Sequence, residues 1–171
     1  MRSPAPTLFS FPNPVNEVSA RLVAAGVVVM AVATIAFDLR WLTVVLAYGF
    51  VARVLAGPTL SPLGQLVTRL VTPALPFRER LVPGPPKRFA QLIGAILTVT
   101  VELLTFGFDR FDLAQVLLAV LLVPASLEAF VGFCIGCQIF GLLMRAGVIP
   151  ADVCEECNDI WRRAPGPVAA G

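Results

Sequence analysis

Residues 113–144 constrain the fold of this chain more than any other stretch. Their side chains are apolar except for a few groups, of which Glu128, Cys134 and Cys137 are the only ionisable ones. A helix of that length would extend for ~48 Å, whereas the apolar part of a bilayer is ~30 Å thick. We therefore predict a membrane-spanning helix whose excess length is absorbed by tilt, by packing or by a kink at Pro124.

The composition agrees with a polytopic membrane protein. Of the 171 residues, 57% are hydrophobic and 14% are charged, whereas about 25% of a soluble domain is charged. Because the chain contains no histidine, Ser-His-Asp catalysis, His-containing zinc sites and imidazole proton relays are excluded. We expect the lipid bilayer, and no nucleic acid, as a partner.

Three further apolar runs predict an all-α bundle of four transmembrane helices. They are residues 14–37, with 22–37 in the membrane, residues 41–56 and residues 89–106. Residues 60–75 form an amphipathic pattern, which predicts an interfacial helix or one packed under the bundle. The predicted organisation is a disordered tail at 1–12, a membrane domain at 13–146 and a tail with a short helix at 147–171.

The start of the first helix carries a capping pattern. We expect Asn13 to be the N-cap and Pro14 to occupy the first helical position. Glu17 and Arg21 lie one turn apart, so they are expected to pair.

The basic residues predict the orientation. Arg40 and Arg110 follow the first and third spans, and the other eleven of the 13 Lys and Arg residues fall on the opposite side. The positive-inside rule then predicts that both termini are cytoplasmic. Twelve arginines against one lysine, with abundant Ala, Val, Gly and Pro, indicate a bacterial chain, so we expect the bacterial inner (plasma) membrane.

Two Cys-x-x-Cys pairs are the most unusual chemical feature. Cys134 and Cys137 are expected on one face of the fourth helix, where a disulfide needs local distortion. Alternatively, they are small buried residues in a helix seam, where Gly132 and Gly136 would allow close packing.

The second pair, Cys154 and Cys157, follows a break at 147–150. We expect Pro150 to start a short helix, whose N-terminus would favour a thiolate at Cys154. Because sixteen residues separate the two pairs, the spacing also fits a four-thiolate metal site that would hold zinc or, as a further alternative, iron–sulfur.

Glu102 and Glu128 lie within predicted spans. Carboxylates in a bilayer usually face the bundle interior and mark a functional path. They therefore predict a proton or anion path to the thiols, or protonated side chains hydrogen-bonded across the helix seam. A transporter built on these two residues is a further alternative, which the scarcity of other buried polar residues disfavours.

Four motifs resemble a bacterial four-span membrane family, domain of unknown function 4395. They are FPNPVNE at the first helix, GPTLSP after the second, KRFAQ at the third and FCIGCQ late in the fourth. Members are often encoded beside thioredoxin-like or rhodanese-type sulfurtransferase proteins. The resemblance implies thiol or sulfur chemistry, and it carries over Cys134 and Cys137 only.

Together, these observations predict a dithiol relay with a thioredoxin-like or sulfurtransferase partner. Cys154 is the expected accessible nucleophile, Cys157 the resolving thiol, and Cys134 with Cys137 the pair that passes electrons into the membrane. The alternative is a non-catalytic membrane scaffold in which all four cysteines bind a structural zinc ion. The sequence decides neither whether the chain is an enzyme nor its oligomeric state.

Overall fold

A computed structural model of the chain describes residues 11–76, 80–154 and 157. The predicted tails at 1–12 and 147–171 lie partly outside these residues. The elements, in chain order, are β1 (Val15–Asn16), α1 (Glu17–Phe37), α2 (Trp41–Ala56), α3 (residues 62–74), β2 (Leu81–Val82), α4 (Gly84–Gly107), α5 (Phe111–Val131) and α6 (Ile135–Arg145).

Four helical runs are long and apolar enough to cross a membrane. They are α1, the run Trp41–Ala74 that joins α2 to α3 through a 3₁₀ turn, α4 and α5, while α6 is shorter. Side chains such as Val29 (67% exposed) and Val123 (59% exposed) point outward, where lipid would cover them. The chain is therefore an all-α, multi-pass membrane protein, which confirms the predicted fold class.

Helix α4 lies between α2, α5 and α6, and α1 packs against α5. The centre of the bundle contains Val27, Leu46, Phe50 and Leu118, all buried. At Gly94 of α4, any side chain would overlap the ring of Phe50. This glycine therefore permits the close approach of α2 and α4.

The first helix begins differently from the prediction. Its N-cap is Asn16, whose side chain accepts a hydrogen bond from the Val18 backbone N–H at 2.9 Å. The predicted cap, Asn13, instead accepts a hydrogen bond from the Gly84 N–H at 2.9 Å. Because β1 pairs with β2, the backbone before Asn16 is extended and helix α1 starts at Glu17.

The predicted amphipathic helix is present as α3. Ser61 is its N-cap and accepts a hydrogen bond from the Gly64 N–H at 3.3 Å. A hydroxyl hydrogen bond of 2.9 Å between Ser19 and Thr72 connects α1 to α3. Helix α3 therefore packs against the bundle.

The prediction of one continuous fourth helix over residues 113–144 is wrong. Helix α5 continues through Pro124, forms a π-helical turn over Leu127–Val131 and ends at Gly132. Gly132 has φ +75°, a left-handed conformation that ends helices and that glycine adopts readily. Helix α6 then starts after Cys134.

Candidate thiol site

A long-range contact from α1 stabilises the break between α5 and α6. The Arg21 guanidinium donates hydrogen bonds to the backbone carbonyls of Ala129, at 3.3 Å, and Phe130, at 2.9 Å. A cation at these carbonyls satisfies groups that a helix end leaves unpaired. The predicted partner of Arg21, Glu17, instead forms an ion pair with Arg80 at 3.0 Å.

The break places Cys134 and Cys137 at the start of α6. Cys134 is the N-cap of this helix, and its sulfur accepts a hydrogen bond from the Cys137 N–H at 3.3 Å. The two cysteines form a disulfide, with a Cα–Cα distance of 5.2 Å. The prediction placed this pair inside a helix, whereas the structure places it at a helix N-terminus, which stabilises a thiolate once the disulfide is reduced.

Gly136 determines how closely α6 approaches α4. A Cβ atom at Gly136 would lie 2.7 Å from the Cα of Ala90, so only glycine fits without a shift. One helical turn further on, the rings of Phe89 and Phe140 pack with centroids 5.6 Å apart. Gly132 and Gly136 were expected to act as one packing pair, but the first ends a helix and the second allows a helix–helix contact.

Glu128 lies inside the bundle and is paired with Lys87 of α4. Their side chains are 15% and 10% exposed, respectively. Glu128 lies in the last turn of α5, near the end of the span. Its carboxylate therefore faces a cation beside the helix break.

Arg53, near the end of α2, is 5% exposed. Its Nε atom donates a hydrogen bond to Gln91 Oε1 at 2.9 Å, and a terminal nitrogen donates one to Ser61 Oγ at 3.2 Å. The guanidinium carbon also lies 4.5 Å from the centroid of the Phe50 ring. Within residues 11–76, 80–154 and 157, no carboxylate forms an ion pair with Arg53.

One cavity of about 130 Å³ connects these groups. Cys134, Glu128, Arg53 and Gln91 all line it, together with apolar side chains of α1, α4, α5 and α6. Arg53, Lys87 and Gln91 were not predicted to be site residues. For two of them the sequence did contain a signal, because Lys87 and Gln91 are one helical turn apart in the KRFAQ motif and therefore share a face of the helix.

Glu102 does not belong to this site. It lies fifteen residues beyond Lys87 along α4, which corresponds to ~22 Å of helix. One of its carboxylate oxygens, Oε1, is buried and has no hydrogen-bond partner among the described residues. The two glutamates proposed to form one path are therefore far apart along the bundle.

The second cysteine pair lies beyond α6. A 3₁₀ turn over Ala151–Cys154 precedes it, and Cys154 and Cys157 form a disulfide with a Cα–Cα distance of 5.3 Å. Cys154 is 5% exposed, whereas Cys157 is partly exposed. Cys157 is therefore the more exposed residue of the pair, whereas Cys154 was predicted to be the accessible one.

A metal site needs at least three ligands in one place. Among the residues that the structure describes, no three Cys, Asp or Glu side chains form such a group. The four-thiolate zinc site remains a prediction from spacing.

The fold and the site define a class, that of helical membrane proteins with a Cys-x-x-Cys pair inside the bundle. Within this class, the chain belongs to the family described as Domain of unknown function (DUF4395), which matches residues 15–145. The matched region includes α1 to α6 and the first cysteine pair. No curated protein and no solved structure matches the chain.

Proposed function

We propose that this protein is a membrane thiol–disulfide relay. The outer pair, Cys154 and Cys157, exchanges with a soluble thioredoxin-like or sulfurtransferase protein. The inner pair, Cys134 and Cys137, receives the electrons and passes them into the membrane. One observation carries the proposal: Cys134 of the inner pair caps α6 and lines a cavity within a membrane-spanning bundle.

Disulfide exchange requires paired sulfurs and an accessible one among them. Both pairs have Cα–Cα distances of 5.2–5.3 Å, within the usual range for disulfides. Cys157 is partly exposed and Cys154 is buried, so a soluble partner would reach Cys157 first. The sulfur of Cys134 accepts a backbone N–H, which favours it as a leaving thiolate.

The exchange steps balance in atoms and electrons. A partner thiolate attacks Cys157, the Cys154–Cys157 bond breaks, and Cys154 leaves as a thiolate. A second partner thiolate releases the oxidised partner and leaves a reduced outer pair. Cys154 then attacks the Cys134–Cys137 disulfide, and Cys157 resolves the mixed disulfide. Two electrons and two protons have moved to the inner pair, and the outer disulfide has re-formed.

We further propose that the protein lies in the bacterial plasma membrane with both termini in the cytoplasm. The end of the bundle that contains Cys134 also contains Arg21, Arg53 and Lys87, whereas Arg40 lies at the other end. The positive-inside rule favours the cytoplasm for the first of these ends. The proposed partner would dock on exposed basic residues at this end, such as Arg80, whose side chain is 78% exposed.

The relay is tested by following the inner pair while a thioredoxin reduces the protein. Purified oxidised protein in lipid nanodiscs is mixed with reduced thioredoxin, and the thiols are counted by alkylation and mass spectrometry. We expect the inner pair to be reduced at least tenfold faster in the native chain than in the Cys154→Ala/Cys157→Ala variant, because the outer pair supplies the route.

A second variant identifies the attacked sulfur. In each single variant, the remaining outer cysteine is first converted to its mixed disulfide with thionitrobenzoate. A reduced thioredoxin that lacks its resolving cysteine should then displace thionitrobenzoate and accumulate a mixed disulfide with Cys157 in Cys154→Ser, and less of one with Cys154 in Cys157→Ser. Equal rates of inner-pair reduction with and without the outer pair, together with no mixed disulfide in either variant, would contradict the relay.

A further inference from the structure

The cavity beside Cys134 has the size and lining of a site for one apolar ring. Its volume of about 130 Å³ is close to that of an apolar protein cavity of ~150 Å³ that binds benzene. Its apolar lining is mostly aliphatic, with Phe50 as its aromatic side chain. The aliphatic side chains include Val23, Val27, Leu97, Leu121 and Ile139.

Hydrogen-bond donors lie at one edge of this apolar cavity. Arg53 is 5% exposed, and its hydrogen-bond acceptors in the described part of the chain, Gln91 Oε1 and Ser61 Oγ, are both neutral. A buried guanidinium that forms no ion pair is energetically unfavourable, so it favours a ligand with an electron-rich oxygen. Because Gln91 accepts through Oε1, its amide nitrogen is left to donate.

We propose that this cavity binds the ring of a quinone, with Arg53 and Gln91 donating hydrogen bonds to one carbonyl oxygen. A quinone combines an apolar ring with carbonyl acceptors, and the cavity combines an apolar lining with donors at one side. Its isoprenoid tail is soluble in the bilayer that surrounds the bundle. The inference rests on the proposed relay and names its electron acceptor.

The reaction balances without another reactant. The Cys134 and Cys137 thiols lose two electrons and two protons, their S–H bonds break, and one S–S bond forms. The quinone gains both electrons and both protons and becomes a hydroquinone. Glu128 lines the same cavity, where its carboxylate can carry a thiol proton towards a quinone oxygen. Arg53 stabilises that oxygen as it becomes more negative during reduction.

Binding is measured apart from redox chemistry. The oxidised full-length protein in nanodiscs is titrated with a ubiquinone bearing a single isoprene unit, and the Kd is determined by calorimetry. We expect saturable binding at one site, with a Kd at least tenfold higher for Arg53→Met, because a charged hydrogen bond is lost. Arg53→Lys, which keeps the charge, and Gln91→Leu should show smaller increases.

Arg40→Met is the matched control, because Arg40 lies at the other end of the bundle, and its Kd should equal that of the native chain. If Arg53→Met does not fold, the Kd values of Arg53→Lys and Gln91→Leu decide whether these two side chains bind the quinone. Absence of saturable quinone binding, an unchanged Kd in these two variants, or Arg53-dependent binding of thiosulfate in place of the quinone would overturn the inference.

Electron transfer is then measured with pre-reduced protein, as hydroquinone formed per pair of thiols lost. We expect one hydroquinone for each inner disulfide formed, and none from Cys134→Ala/Cys137→Ala, which should still bind the quinone. Binding without thiol-dependent reduction would overturn the acceptor role and the electron path of the relay. Failure of binding alone would leave thioredoxin-dependent reduction of the inner pair intact, so the two failures are distinguishable.

Discussion

At the Cys134 end of the bundle, three charged side chains lie inside the protein. Lys87 and Glu128 are 10% and 15% exposed, and Arg53 is 5% exposed. At the opposite end, the charged side chains lie at the surface. The Arg40–Asp109 pair, at 3.3 Å, has side chains that are 50% and 88% exposed.

This difference in burial indicates that the charged side chains near Cys134 do more than keep the protein soluble. An exposed ion pair gains little, because water and salt screen it. A buried pair loses hydration that its mutual attraction does not always offset, so it is weak evidence for stability by itself. Its presence beside the cavity and the inner disulfide indicates a role in the site.

Breaking the buried ion pair should have the largest effect. Lys87→Met leaves the Glu128 carboxylate buried without its cation, and we expect the free energy of unfolding to fall by ~3–5 kcal/mol. Arg40→Met, at the opposite end, should lower it by ~0–1 kcal/mol. Both values can be measured by SDS titration of the protein in mixed micelles.

The double variant Lys87→Met/Glu128→Leu is the control, because it replaces both charges. It should recover most of the lost stability, since a buried pair can often be replaced by apolar side chains at little net cost. Equal losses for Lys87→Met and Arg40→Met would show that burial does not distinguish the two pairs.

The packing of α6 gives the next largest effect. Gly136→Ala places a methyl group against the Ala90 backbone, and overpacking of this kind costs ~1–3 kcal/mol. At Gly141, in the same helix, a methyl group would have no neighbour within 4 Å among the described residues. Gly141→Ala should therefore leave stability unchanged or raise it by up to ~1 kcal/mol, because alanine favours helix.

Thermal unfolding in detergent, combined with the alkylation rate of reduced Cys137, measures both consequences. We expect faster alkylation in Gly136→Ala, because α6 would move away from α4. If Gly136→Ala and Gly141→Ala behave alike, the close contact between these helices is not formed.

The helix caps give the smallest difference. Asn16→Ala, at the end that contains Cys134, removes a cap hydrogen bond of 2.9 Å and should cost ~1 kcal/mol. At the opposite end, Arg110 is the N-cap of α5 and makes no side-chain cap hydrogen bond. Arg110→Ala should cost less than Asn16→Ala, although it removes the exposed contact with Asp112. A larger loss for Arg110→Ala, measured by SDS titration, would reverse the comparison.

The sequence by itself determined the membrane class, the helical runs and the two cysteine pairs. These features depend on local information, because a span needs only a continuous apolar run of sufficient length. The asymmetric distribution of Lys and Arg is equally local, and it placed Arg40 and Arg110 at the end opposite Cys134. The predicted family is confirmed by the match over residues 15–145.

Only the tertiary structure decided how the site is assembled. Residues 113–144 form a continuous apolar pattern, yet the helix ends at Gly132, where Arg21 binds carbonyls 108 and 109 positions away. Likewise, Arg53 and Gln91 come from different helices and meet only when α2 packs against α4. Periodicity describes one helix at a time, so it cannot predict contacts between residues that are distant in the chain. Cys134 became a helix cap lining a cavity because of those distant contacts.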